Sequence, residues 1–162
     1  VCHDEKRLFE MLILEGMQAG LNWKCILDKR ENMRKAFDNF NYKKISKYDS
    51  KKMEELLNNK GIIRNRRKLE ALIINANKFI EVQKEFGSFD KYIWSFTKGK
   101  RINNKLKSTD NLPARNELSD LISKDLIKRG FKFTGSVIIY SYLQAIGIIN
   151  DHTINCRFYN KK

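Results

Sequence analysis

The chain contains a single proline, Pro113, and only eight glycines among its 162 residues. Proline and glycine are the residues that most often end regular structure, so their scarcity leaves long uninterrupted segments. In these segments apolar residues recur about every three to four positions, as in an amphipathic helix, and we find neither convincing strand alternation nor an internal repeat. We therefore predict an all-α protein that folds as a single unit over 1–162, since its 41% of apolar residues can build a core.

Capping residues and periodicity together set the predicted helices. Asp4 is suited to cap the first helix and Gly20 to end it. The polar, basic stretch over 98–114 is predicted to be an exposed loop. The predicted helices run over 4–19, 22–38, 50–57, 65–86, 88–96, 117–129 and 135–146.

The balance of charge points to a polyanionic partner. Lysine and arginine number 33 against 19 acidic residues, a formal charge of +14. Such a surplus attracts phosphates, because each cation placed near one can release a condensed counterion. An anionic membrane is the alternative, but no apolar run approaches the roughly 18 residues that a membrane-spanning helix needs. Composition therefore favours nucleic acid and no membrane. Three scattered cysteines and no signal-peptide pattern predict a reducing, cytoplasmic location.

Two glutamates lie in the most apolar predicted helix. Apolar residues surround most of this helix, so it should be buried at the centre of the fold. An ionised Glu15 there is costly unless it meets a partner or a polar cavity. It is either a partly exposed charge paired with a lysine or a carboxylate at a pocket wall that attracts a cationic ligand. Glu10 lies on a different face and is predicted to be an ordinary solvated charge.

The segment that follows this helix contains a predicted corner. Gly20 permits a tight turn and Asn22 can cap the next helix, which leaves Leu21 exposed between them. An exposed leucine is usually ordinary, although in a DNA-binding protein it can act as a wedge between bases. Trp23 is either a core residue or a stacking wall for a flipped base near Glu15.

A basic turn between two predicted helices is a candidate phosphate site. Gly61, Ile62, Ile63 and Arg64 form the turn, and the next helix begins with a cluster of cations that includes Arg66. Backbone N–H groups and the positive end of a helix can receive a phosphate there, without reading sequence. Lys68 is expected to reinforce the same site. The alternative is a basic surface that is only solvated. The glycine turn directly before the cluster favours the phosphate site over this alternative.

His152 and Cys156 have a spacing that places two ligands within reach of one zinc ion. A closed structural zinc site needs about four ligands, so this pair alone is a weak signal. The adjacent Cys2 and His3 are poor candidates to complete it, because neighbouring residues bind one ion only under strain.

Taken together, these segments resemble the type I 3-methyladenine DNA glycosylases of the helix-hairpin-helix glycosylase superfamily. The likeness covers nearly the whole chain. The matching segments are Leu8-Phe9-Glu10-Met11, Leu14-Glu15-Gly16, Gln18-Ala19-Gly20-Leu21, Trp23, Lys29-Arg30-Glu31, Gly61-Ile62-Ile63-Arg64, Lys68, Trp94-Ser95-Phe96, Ser123-Lys124-Asp125-Leu126, Lys128-Arg129-Gly130-Phe131-Lys132-Phe133, Tyr140-Ser141, Gln144-Ala145 and Asn150-Asp151-His152.

The resemblance implies roles for particular residues. Glu15 matches the glutamate that contacts the methylated adenine, Trp23 the indole that stacks on it, and Ser141 lies in a segment that approaches the pocket. Gly20 and Leu21 match the plug that faces the abasic gap, and the segment from Gly61 to Arg64 matches the hairpin that grips the DNA backbone. The hairpin has one glycine where the wider superfamily prefers two.

A zinc ion is also implied by the resemblance. His152 and Cys156 match the C-terminal half of a structural site with about four ligands. About twenty further N-terminal residues of the family, which carry the other ligands and aromatic pocket walls, are absent from this sequence, so zinc occupancy and a complete pocket are not expected.

The implied architecture is two helical lobes, one over 20–97 and the other over 1–19 plus 98–162, with the base pocket between them. The implied activity is removal of 3-methyladenine from double-stranded alkylated DNA by a monomer that releases the free base. No lysine stands out as a Schiff-base nucleophile, so strand cleavage is not expected. The alternatives are a helix-hairpin-helix module that binds DNA without catalysis and, less favoured, a helix-turn-helix regulator, for which no compact set of base-reading side chains is found.

Overall fold

The first helix, α1 (Glu5–Gln18), is the centre of the fold, as predicted. The structure is a computed structural model and describes residues 1–110 and 112–159. Every residue of α1 from 8 to 17 is buried. The helix begins at Asp4, whose side chain accepts a hydrogen bond from the Arg7 backbone N–H at 2.8 Å. Because apolar side chains surround it, α1 can be covered by other helices on several sides.

The remaining elements follow in short succession. They are α2 (Trp23–Ala36), a 3₁₀ turn (Asp38–Phe40), α3 (Tyr42–Ile45), α4 (Ser50–Asn58), α5 (Arg66–Phe86), α6 (Phe89–Ser95), β1 (Ile102–Asn103), α7 (Glu117–Lys128), α8 (Ser136–Ile146) and β2 (Ile149–Asn150). Helix α1 packs against α2, α5, α6 and α8.

An aromatic cluster joins α1, α3, α5 and α6. The ring of Phe79 stacks on that of Phe89 with centroids 4.3 Å apart, and it meets Phe9 edge-on at 5.3 Å. Tyr42 of α3 completes the cluster, 4.8 Å from Phe79. Aromatic side chains contribute large apolar areas to a core, so this cluster fixes the long helix α5 against α1.

The all-α prediction is wrong in one detail. Strands β1 and β2 form a two-stranded parallel sheet in which Ile102 pairs with Ile149. The Ile102 N–H donates to the Ile148 carbonyl at 2.7 Å, so part of the predicted 98–114 loop is in fact a strand. Each strand has only two residues, too few to show alternation in the sequence. Within that loop, Asn111 lies outside the described residues, as do residues 160–162.

The second predicted helix also ends earlier than expected. Asp38, Asn39 and Phe40 all have positive φ values, at 51°, 58° and 53°, which stops α2 at Ala36 and turns the chain into the short helix α3. Periodicity alone does not reveal such a left-handed turn.

Among the described residues, no helix has both the length and the apolar character required to cross a membrane. The division into lobes over 20–97 and 1–19 plus 98–162 stays a prediction.

Candidate functional site

Glu15 is a buried carboxylate with no partner. Its residue surface is 5% exposed, and the described part of the chain offers its side chain neither a hydrogen bond nor an ion pair. Burial therefore raises the pKa of Glu15 to about 7, because removal from water disfavours the charged form. The interpretation as a partly exposed charge paired with a lysine is wrong. A buried carboxyl whose pKa lies near neutrality is typical of functional sites.

Glu10, one and a half turns earlier on α1, is buried for a different reason. It is 6% exposed and accepts hydrogen bonds from Arg30 at 2.9 Å and Arg34 at 2.8 Å, both on α2. Burial alone would raise the pKa of Glu10, but the hydrogen bonds and charges of the two arginines lower it. The prediction of a solvated charge is therefore wrong, and Glu10 instead ties α2 to α1.

The end of α1 is held by a buried lysine. Lys68 of α5 is 7% exposed, and its Nζ donates to the carbonyl oxygens of Met17 at 2.7 Å and Ala19 at 2.5 Å. Desolvation lowers the pKa of Lys68. These carbonyls lack partners within the helix, and a cation there also meets the negative end of the helix dipole. Lys68 thus fixes the end of α1, and because it also lines the groove described below, its reinforcement of the phosphate site stays a prediction.

The corner after α1 has the predicted form. Gly20 has a φ of 76°, and the Leu21 N–H donates to the Gln18 carbonyl at 2.7 Å, which closes the turn. Leu21 is 41% exposed, and the Asn22 side chain caps α2 by accepting from the Cys25 N–H at 2.8 Å. Trp23 begins α2 half-buried against the core. No contact between Trp23 and Glu15 is found among the described residues. That the two side chains line one base pocket therefore stays a prediction.

The predicted hairpin joins α4 to α5. The Asn59 side chain accepts from the Gly61 N–H at 2.9 Å, and Asn32 of α2 donates to the Gly61 carbonyl at 3.2 Å. A Cβ at Gly61 would lie 3.1 Å from both of these side chains, so glycine permits this close approach. Arg66 pairs with Glu54 at 3.2 Å and links the two helices of the hairpin. Both side chains are largely exposed and such a pair is weak, so the contact of Arg66 with DNA stays a prediction.

One groove brings the corner and the hairpin together. It has a volume of about 600 Å³. Among the predicted site residues, Gly20, Leu21, Ile62, Ile63 and Arg64 line it, whereas Glu15, Trp23, Gly61, Arg66 and Ser141 do not. Arg67 and Lys68 of the predicted basic cluster line it too, together with Ala19, Cys25, Asn65 and Phe133. Arg64 and Arg67 are exposed, so the groove presents positive charge beside an exposed leucine.

Ser141 lies on α8, half-buried, between two tyrosines with structural partners. Tyr142 donates to the Leu8 carbonyl at 3.1 Å, and Tyr140 donates to Asp151 at 2.6 Å. The first of these bonds fixes α8 against α1. The approach of Ser141 to a base pocket is not tested by these contacts and stays a prediction.

His152 and Cys156 are brought together as the spacing predicts. Their Nδ1 and Sγ atoms are 3.5 Å apart. Two tetrahedral zinc ligands at the usual Zn–N and Zn–S lengths would be about 3.6 Å apart, so the pair fits half of a zinc site. Cys2 is buried, and His3 pairs with Asp90 at 2.8 Å. Within residues 1–110 and 112–159 no group of three or more histidine, cysteine or acidic side chains is arranged to hold a metal ion.

Comparisons with known proteins identify the family of this chain. The family model of the methyladenine glycosylases matches residues 1–160. The DNA-3-methyladenine glycosylase 1 of Escherichia coli is 40% identical over 156 residues, which are 96% of this chain and 83% of that protein.

Solved structures of the same family match the whole fold. A crystal structure of 3-methyladenine DNA glycosylase I has a TM-score of 0.92 at 42% identity, covering 96% of this chain and 86% of that one. A structure that describes 3-methyladenine recognition by the Staphylococcus aureus enzyme has a TM-score of 0.96 at 32% identity, covering 99% and 86%. On the strength of the family model, the relative and the shared fold, this chain belongs to the methyladenine glycosylase family.

Proposed function

We propose that this chain is a base-excision repair glycosylase, which flips 3-methyladenine out of alkylated double-stranded DNA and hydrolyses its N-glycosidic bond without strand cleavage. The observation that carries the proposal is Glu15, a buried carboxyl with no partner on the central helix of a methyladenine glycosylase. A protein pays a cost in stability to bury such a group, and a cationic ligand offsets that cost.

The chemistry of the substrate explains why an ionised carboxylate can promote release of the base without an acid catalyst. Methylation at N3 makes the adenine of the nucleotide cationic and weakens its bond to C1′. When that bond breaks, its electron pair leaves with the base, which departs neutral, and positive charge develops on the sugar. Water then adds to C1′ and loses a proton. Glu15, once ionised, accepts a hydrogen bond from the methylated base and stabilises the developing positive charge, a role that is electrostatic and needs no proton transfer to the base.

The DNA is proposed to lie along the groove between the corner and the hairpin. Arg64, Arg67 and the exposed Leu21 line this groove. The two arginines are proposed to contact phosphates, and Leu21 to fill the space that a flipped nucleotide leaves. Trp23 and Ser141 are proposed to line the base pocket between the two lobes. The monomeric state and the cytoplasmic location stay predictions.

The test is to incubate this chain with methylated duplex DNA and to separate the released bases by chromatography. We expect free 3-methyladenine and abasic sites in unbroken strands. Binding of the duplex with no released base would instead support the non-catalytic helix-hairpin-helix module.

The rate of excision is expected to depend on the ionisation of Glu15. With a pKa of about 7, the carboxyl is mostly ionised at pH 8 and mostly protonated at pH 6. Since the ionised form is the active one, kcat/KM should fall about tenfold from pH 8 to pH 6. Steady-state kinetics at constant ionic strength measure this fall. A kcat/KM that stays flat from pH 8 to pH 6 would contradict the role of Glu15.

Zinc is proposed as a structural ion to which this chain contributes His152 and Cys156. When bound, such an ion cross-links the segments that supply its ligands. We expect Co²⁺ to give a thiolate charge-transfer band in a form of the protein that also supplies the remaining ligands, and we expect this band to be lost in Cys156→Ser and kept in Cys25→Ser. A band that survives Cys156→Ser, or no band when all the ligands are supplied, would overturn this proposal.

A further inference from the structure

Phe133 has a strained backbone at the edge of the groove. Its φ is 54°, in the left-handed region that bulky residues seldom adopt. A non-glycine residue in this region persists only where the surrounding structure imposes it, and such residues cluster at functional sites. The segment that contains Phe133 connects α7 to α8.

Buried polar side chains impose this conformation from both sides. Asn75 of α5 accepts from the Lys132 N–H at 2.8 Å and donates to the Lys132 carbonyl at 2.9 Å. Ser123 of α7 donates to the Thr134 carbonyl at 2.7 Å. Asn75 is 4% exposed and Ser123 is 5% exposed, so water competes little for these bonds. The residues before and after Phe133 are thus both fixed.

The central helix allows Phe133 to come close. A Cβ built on Gly16, the residue after Glu15, would lie 3.3 Å from the Phe133 Cβ and 3.4 Å from its carbonyl oxygen. A larger residue at position 16 would push the segment away. The backbone of Phe133 therefore rests against α1 at Gly16, one residue along the chain from Glu15.

Phe133 is half-buried, and two of the spaces that it borders are open to a ligand. One is the groove that contains Leu21 and Arg64. The other is a cavity of about 310 Å³ lined by Lys132 and by Arg67, Glu70, Ala71 and Ile74 of α5. An aromatic group is thus presented beside Arg64, Arg67 and Lys132, with Glu70 as the one acidic residue among those that line the two spaces. An aromatic ring next to cations is the combination that binds unstacked nucleotides.

We propose that Phe133 is a DNA contact, which stacks on an unstacked base beside the gap that Leu21 fills. This inference rests on the proposed function, since only flipping of a nucleotide exposes such a base. Every base has a π-face, so the contact would strengthen binding to opened DNA without reading its sequence. The fixed backbone limits the ordering that the ring must undergo on binding.

The test compares three substitutions of Phe133 with a matched control. Phe133→Leu removes the ring and keeps apolar volume, Phe133→Tyr keeps the ring, and Phe133→Asn suits the left-handed backbone. Phe96→Leu changes a half-buried phenylalanine that does not line the groove. Fluorescence anisotropy measures Kd for a duplex with a tetrahydrofuran abasic analogue, thermal unfolding gives Tm, and the unmodified chain is assayed for 3-methyladenine release.

We expect Phe133→Leu and Phe133→Asn to bind the abasic duplex about tenfold more weakly, with Phe133→Tyr and Phe96→Leu near the unmodified protein. Phe133→Asn should keep its Tm, which separates lost contact from lost folding. If the unmodified chain releases 3-methyladenine but Kd for the folded variants stays within about twofold of its value, the Phe133 contact is overturned and the function stands. A chain that neither binds DNA nor releases base would overturn both.

Discussion

Glu15→Gln is expected to slow the release of 3-methyladenine by about 100- to 1000-fold, with little change in affinity for undamaged DNA. Glutamine keeps the shape and a carbonyl oxygen but removes the charge that stabilises the developing cation. Single-turnover kinetics with methylated duplex measure the effect. The matched control is Glu117→Gln at the exposed start of α7, which should excise the base at the unmodified rate. Excision by Glu15→Gln within about threefold of that rate would remove the proposed role.

The same substitution should stabilise the folded protein. The pKa of Glu15 rises from 4.5 to about 7 on folding, so the folded state holds its proton more tightly and the free energy of unfolding declines as pH rises from 4.5 to 7. Above pH 7 the ionised carboxylate costs about 3 kcal/mol, which a neutral glutamine avoids. Denaturant unfolding of Glu15→Gln at pH 8 should therefore show a gain of that order, together with the loss of activity.

The second large effect concerns Glu10 and has the opposite sign. Glu10→Gln should lower the free energy of unfolding by about 2 kcal/mol, because it leaves Arg30 and Arg34 without their shared carboxylate. Removing one partner of a fully buried pair costs more, but both arginine side chains are about a third exposed, at 29% and 33%. Urea unfolding at pH 7 measures this loss.

The pH dependence provides an independent check on Glu10. Its pKa is lowered in the folded state, so its contribution is present above 4.5, the ordinary value, and is lost as pH falls through the lowered pKa. The difference between the unmodified protein and Glu10→Gln should therefore shrink in acid. Glu31→Gln, which removes the 68% exposed partner of Arg34, is the matched control and should cost far less. Equal losses for Glu10→Gln and Glu31→Gln would contradict the buried role of Glu10.

Local features of this protein could be predicted from its sequence. Asp4 caps α1, Asn22 caps α2, Leu21 is exposed at the corner, and His152 lies against Cys156, since each depends on residues a few positions apart. The long helices could be predicted for the same reason, because apolar residues recur along them every three to four positions. The family could be identified because its matching segments extend along nearly the whole chain.

Features that depend on distant residues could not be predicted. Glu10 and Glu15 occupy the same apolar helix, and only the arginines of α2, twenty or more positions away, distinguish a paired carboxylate from an unpaired one. Lys68 was expected among the phosphate-binding cations because the sequence around it is basic, yet it donates to carbonyls 49 and 51 positions earlier. The left-handed backbone of Phe133 has no local signal, because the buried Asn75 and Ser123 impose it.

The most direct measurement of the central claim is a ¹³C NMR titration of the glutamate side-chain carboxyls, with Glu15 assigned by its disappearance in Glu15→Gln. We expect Glu15 to titrate near pH 7 and Glu10 below 4.5 in the free protein. Binding of a duplex with a cationic abasic-site analogue should lower the pKa of Glu15, because a nearby positive charge favours the carboxylate. A Glu15 that titrates near 4.5, or whose pKa is unchanged by the cationic duplex, would contradict its role as the buried carboxylate that selects a cationic base.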